Sequence, residues 1–178
     1  MTARRRNRRR GTALVEFAMI GAPLIFIWIS VFQMAIIEWR YHTLQYAVKM
    51  TTSYMSTHGS DCSTGGNTCS IEIENAAQIL ENAAVGIPPK AISVTFTPIG
   101  SDHVTAAGGS YPLTCTLDQC LTNTTSYPPT GYGDRGCDIK ITASYTFNSM
   151  LGMFVPGQNS VHFGTYTFTS DSQQAILF

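Results

Sequence analysis

Charged residues are scarce in this sequence. Asp, Glu, Lys and Arg make up 12% of its 178 residues, about half of the usual share. Hydrophobic residues make up 44%. A disordered chain has the opposite composition, so this one predicts a folded protein. The length allows one membrane helix and one domain of about 100–120 residues.

Positive charge is almost absent after residue 11. Six of the eleven basic residues are arginines within the first ten positions, which leaves five basic residues against eleven acidic ones and a net charge of −6. A domain that binds nucleic acid is basic where it folds. This distribution therefore argues against nucleic acid as a partner.

Signatures of catalysis and of metal binding are also missing. The sequence has no HExxH, GxSxG or phosphate-cradling glycine motif, and its histidines are isolated from one another. The cysteines lack the CxxC pairs of structural zinc sites. Asp134 and Asp138 flank a short loop that offers calcium too few oxygen ligands, so a solvated turn is favoured. We therefore predict neither an enzyme nor a cofactor or metal site.

A long uncharged run is what the sequence does contain. No charged residue occurs from Phe17 to Ile37, and about 20 apolar residues suffice to cross a hydrocarbon core of about 30 Å. We expect a transmembrane helix at about residues 13–37, behind a basic leader of residues 1–11. Basic residues that flank a span stay cytoplasmic, so residues 38–178 are expected outside, oriented by Arg4, Arg5, Arg6, Arg8, Arg9 and Arg10.

Two simpler interpretations of the N-terminus account for less of the sequence. A cleaved secretory signal has a shorter apolar core followed by small residues, whereas Glu38-Trp39-Arg40 follows here. An uncleaved signal anchor fits the hydropathy but explains neither Gly11 nor Glu16. An acid inside a membrane helix costs about 2.5–3.5 kcal/mol at mid-bilayer. Glu16 therefore either reaches the interface with its side chain or has a partner.

The run Gly11-Thr-Ala-Leu-Val-Glu-Phe17 resembles the leader of type IV pilins, in particular the TadE-like pseudopilins of the tight-adherence (Flp) pilus. The resemblance covers about residues 8–50. It implies cleavage after Gly11 by an integral membrane prepilin peptidase. Thr12 would then carry a new amino group that pairs with Glu16 of a neighbouring subunit. Thr12 and Phe17 differ from the residues usual in main fibre subunits, and both differences favour a pseudopilin.

The helix is expected to continue beyond the membrane. An apolar stripe recurs at spacings of three and four residues, and it consists of Met34, Ile37, Tyr41, Leu44, Val48, Thr51 and Met55. No Gly or Pro occurs from Leu24 to His58. We predict one helix over about residues 13–57, in an N-terminal region of residues 12–58. Its outer half would pack on its own domain or on another subunit.

Residues 59–178 are predicted to form an extracytoplasmic domain. Ser70 is expected to cap a second helix from Ile71 to about Val85, with Ile73, Ala76, Ala77, Leu80 and Ala84 on one face. Alternating patterns predict strands at residues 92–97, 139–147 and 161–169, in an antiparallel sheet. A long polar loop is expected at about 100–136, with short strands inside it left open. The fold class is α+β, a long N-terminal helix followed by a small pilin-like domain.

The cysteines are expected to form disulfides, since all five lie outside the predicted span. Cys62 and Cys69 flank a glycine-rich loop and are natural partners. Cys137 could bond to Cys115 or Cys120, or those two could pair locally. An odd number leaves one thiol unpaired.

The favoured function is a minor pilin or pseudopilin of a Tad pilus, acting in assembly, priming or adhesion. Its partners would be the inner membrane, the prepilin peptidase, other pilin subunits and the assembly platform. One alternative is a major fibre subunit, for which the chain is long. Another is an uncleaved, single-pass periplasmic binding or scaffold protein.

Overall fold

A computed structural model describes residues 6–58, 71–100, 111–129, 132–133, 136–149 and 165–177, with side chains from residue 12 onward. The predicted α+β class is confirmed. A long helix, α1 (Arg6–Ser56), is followed by shorter helices and antiparallel strands. The chain has two compact units, Met1–Glu38 and Trp39–Phe178, which divide within α1.

Helix α1 begins seven residues earlier than predicted. Its backbone is helical from Arg6, because arginine is a good helix former and no breaker precedes Gly11. Pro23 lies inside the helix without ending it, although a proline leaves the carbonyl four residues earlier without its usual donor. The helix ends at Ser56, and the predicted exit at Gly59 lies outside the described residues.

The four-stranded sheet has the order β3-β2-β5-β6, and all its pairs are antiparallel. Its strands are β2 (Ile92–Ile99), β3 (Leu113–Thr116), β5 (Asp138–Asn148) and β6 (Thr165–Ala175). The predicted alternation is confirmed in β2 and β5, where every second side chain is buried. β6 extends six residues past its predicted end, and residues 161–164 lie outside the described part of the chain.

One prediction for the middle of the chain, the start of the second helix, was wrong. Ile71 and Glu72 form a short strand, β1, that pairs with β4 (Ser126–Tyr127), and Glu72 rather than Ser70 is the N-cap of α2 (Ile73–Ala83). Main-chain pairing with a distant strand overrides the local capping signal. The expected loop at 100–136 contains β3, α3 (Leu117–Cys120) and β4, whose lengths of two to four residues are too short for a periodic signal.

The core of the second unit lies between the sheet and two helices. The predicted face of α2 is fully buried, as are Leu44, Val48, Thr51 and Met55 of α1. Rings of Tyr41 and Phe168 lie 6.0 Å apart near one end of the contact between α1 and the sheet. At the other end Ser56 Oγ donates a hydrogen bond to Gln174 at 3.0 Å. The outer half of α1 therefore packs against its own sheet.

Candidate functional site

The candidate site is the N-terminal part of α1. Thr12 and Glu16 are one helical turn apart, so their side chains lie on the same face. Both are exposed, and Phe17 is 78% exposed. Gly11 and Arg6, Arg8, Arg9 and Arg10 lie in the helix backbone, with side chains outside the described set, and Arg4 and Arg5 lie outside the described residues.

Glu16 borders a shallow apolar concavity of about 460 Å³ on this helix. Gly21 lines the concavity, and the Phe17 ring lies 3.6 Å from where a Cβ of Gly21 would stand. Its lining is otherwise apolar and consists of Ala13, Phe17, Ile20, Gly21, Leu24 and Ile25. A carboxylate is therefore combined with a surface suited to another apolar helix.

The first unit exposes most of its apolar side chains. Leu14, Met19 and Ile20 are each at least 70% exposed, and a soluble monomer rarely exposes so large an apolar patch. Among the described residues, α1 is the one helix long and apolar enough to cross a membrane. Exposure to lipid would remove the cost of leaving these side chains in water.

The cysteines adopt one of the three pairings that the sequence left open. Cys115 and Cys120 form a disulfide, with Cα atoms 5.7 Å apart. It joins the end of β3 to the end of α3. Cys137 is a buried free thiol, and Cys62 and Cys69 lie outside the described residues.

The acidic residues of the outer loops form no ligand cluster in the part of the chain that the structure describes. Asp138 accepts a hydrogen bond from Gln173 at 2.7 Å, and Asp134 is outside the described residues. Lys140 pairs with Asp171 at 3.2 Å across two strands. Such a half-exposed pair contributes little to stability.

Sequence reasoning missed the role of Arg40. Its guanidinium donates a hydrogen bond to the Tyr145 hydroxyl and stacks over two aromatic rings, 5.7 Å from the Tyr145 centroid and 5.2 Å from that of Phe147. Arg40 is the one basic residue between the leader and Lys49. That isolation, together with two aromatic residues on the inward face of β5, was the signal in the sequence that could have predicted this contact.

Trp39 contacts the turn after α2, which was also missed. Gly86 adopts φ +82°, and a Cβ there would lie 2.8 Å from two atoms of the indole ring. A glycine after a helix is a common stop signal. The close approach of a side chain 47 positions earlier leaves no local trace in the sequence.

The N-terminal part of the chain matches a known family. The model of the family described as TadE-like protein matches residues 11–52, which include Glu16, Phe17 and the outer half of α1 through Thr52. No curated protein and no solved structure matches the chain. The TadE-like family is a family of structural pilus components rather than of enzymes. Over residues 11–52, about a quarter of its length, this chain is thus similar to the TadE-like protein family.

Proposed function

We propose that this protein is a minor pilin or pseudopilin of a Tad pilus, inserted in the inner membrane with its N-terminus in the cytoplasm. A prepilin peptidase removes residues 1–11, and the new helix begins at Thr12. The mature protein then acts in pilus assembly as a priming or linking subunit, with residues 59–178 outside the membrane. The family match over residues 11–52 is the observation that carries this proposal.

Glu16 has a specific part in this proposal. Cleavage makes it the fifth residue of the mature chain, one turn from a new ammonium group. In lipid an unpaired carboxylate is costly, and pairing with the ammonium of a neighbouring subunit offsets that cost. The apolar concavity beside Glu16 gives the neighbouring helix a surface to pack on. Charge and shape together would therefore fix the register between subunits.

The test is assembly of Glu16→Ala in a host that has the pilus machinery. We expect Glu16→Ala protein to be cleaved and membrane-bound but lost from sheared pili, or no longer able to support their formation. Glu38→Ala is the matched control, because it removes the other acid of α1 at the outer end of the span. Normal assembly with Glu16→Ala would contradict the role of this carboxylate.

A further inference from the structure

We propose that the outer unit rests on the membrane through an apolar rim formed by Trp39, Val85 and Tyr166. The partner is the outer surface of the lipid bilayer that α1 spans. This inference rests on the proposed membrane insertion of α1, and it does not depend on cleavage or on pilus assembly.

The depth of the rim follows from Trp39. This residue is two positions after Ile37, where the uncharged run ends, and it is 52% exposed. Tryptophan and tyrosine concentrate where the hydrocarbon core gives way to head groups. Trp39 therefore marks the level at which α1 leaves the hydrocarbon core.

Val85 is held at this level by the close approach of Gly86 to the Trp39 ring. Its side chain is 61% exposed. Pro88, two residues after Gly86, is also exposed. No acid occurs between Glu81 and Asp102, although the chain beyond the leader is acidic overall. The turn thus presents apolar surface without negative charge.

Tyr166 lies at the same level along the outer half of α1. It pairs in register with Phe147, which lies under the Arg40 guanidinium, and Phe168 of the same strand contacts Tyr41. β6 runs along α1: six residues from Phe168 to Gln174 span about 20 Å of strand. The fifteen from Tyr41 to Ser56 span about 22 Å of helix. Tyr166, 47% exposed, therefore lies at the level of Tyr41 or nearer to Trp39 along the outer half of α1.

The grouping is selective. Outside α1, the second unit has three exposed large apolar side chains among its described residues, namely Val85, Tyr166 and Leu177. Two of them lie at the level of Trp39 and Arg40. Leu177 lies at the far end, where its backbone N–H donates to the Ser56 carbonyl at 3.1 Å. Ser56 is about 25 Å along the helix from Trp39, too far to reach lipid.

The experiment uses the full chain in vesicles of palmitoyl-oleoyl-phosphatidylcholine, with the photo-crosslinking residue p-benzoylphenylalanine at one position at a time. We expect lipid adducts, detected by intact mass, from position 85 and from position 166. Leu177 is the matched control, since its exposure of 60% equals that of Val85 within a percentage point, and it should give no adduct. Position 32, within the span, reports insertion itself.

Each outcome is informative. Adducts at 32 without adducts at 85 and 166 would overturn the rim while leaving membrane insertion intact. Equal yields at 85, 166 and 177 would also overturn it, because the outer unit would then have no preferred orientation. Absence of adducts at 32 would contradict insertion, and with it both the rim and the proposed anchoring. Near-ultraviolet circular dichroism of each variant verifies that the outer unit is folded.

Discussion

At the scale of single residues, Tyr127 of the outer unit buries a polar group at a cost in stability. Tyr127 is fully buried, its ring lies 5.4 Å from that of Phe96, and its hydroxyl has no hydrogen-bond partner in the described part of the chain. Burial raises the pKa of this hydroxyl, and the neighbouring Tyr111 raises it further. Burial thus favours the neutral phenol, and its unsatisfied hydroxyl lowers the stability of the fold.

Tyr127→Phe should keep or raise stability, by up to about 1 kcal/mol, because it removes a buried unsatisfied hydroxyl without leaving a cavity.

The raised pKa of Tyr127 also makes the free energy of unfolding depend on pH. The tyrosine of the unfolded chain ionises at about pH 10. Above that pH its ionisation favours the unfolded chain, so the protein loses stability as the pH rises beyond about 10. Urea unfolding of the full chain in detergent, at about pH 7 and about pH 11, should show a smaller alkaline loss in Tyr127→Phe. An unchanged alkaline loss would contradict the burial of this hydroxyl.

Gly86→Ala tests the contact between Trp39 and the turn after α2. A left-handed conformation costs a non-glycine residue about 1–2 kcal/mol, and the clash with the indole adds about 1–3 kcal/mol. Gly136 is the matched control, because it has φ +89° and, among the described residues, no atom lies within 4 Å of where a Cβ would stand. We expect Gly86→Ala to lower the free energy of unfolding by at least about 1 kcal/mol more than Gly136→Ala does. Equal losses would mean that the ring does not press on this turn.

At the scale of elements, α1 has two parts that differ in burial. From Thr12 to Glu38 most of its apolar residues are exposed, whereas from Leu44 onward one stripe is buried in the core. The outer half is thus as much a part of the outer unit as the sheet is, and Arg40 and Trp39 mark where that attachment begins.

Leu44→Ala should lower the free energy of unfolding of the outer unit by about 2–5 kcal/mol, because it leaves a cavity in the core. Met50→Ala, in the same helix but 45% exposed, should cost under about 1 kcal/mol. Thermal unfolding followed by near-ultraviolet circular dichroism gives both values. A small effect of Leu44→Ala would indicate that α1 is detached from the sheet and free to pack elsewhere.

Long periodic elements were predictable, and short ones were not. The stripe in α1, the buried face of α2 and the alternation of β5 follow from spacing alone, because each repeats over several turns or residues. β1 and β4 are two residues long, and their pairing depends on a partner more than fifty residues away. The candidate site was readable because a charge in an apolar run is conspicuous. Arg40 and Gly86 were not, because their partners come from distant parts of the chain.

At the scale of the molecule, the chain consists of an apolar helical segment, residues 12–37, and a folded outer unit that packs on the outer half of the same helix. The apolar segment contains one acid, Glu16, and one apolar concavity, and the basic leader of residues 1–11 precedes both. Removal of the leader is the step that would turn an ordinary membrane anchor into a subunit able to pair with its neighbours.

The most direct test is therefore the intact mass of the protein purified from a host that has the prepilin peptidase, compared with protein from a host that lacks it. We expect loss of residues 1–11 in the first host, with the chain beginning at Thr12, and retention of the leader in the second. Retention of the eleven residues on all of the protein in both hosts would contradict it, and would favour an uncleaved single-pass envelope protein.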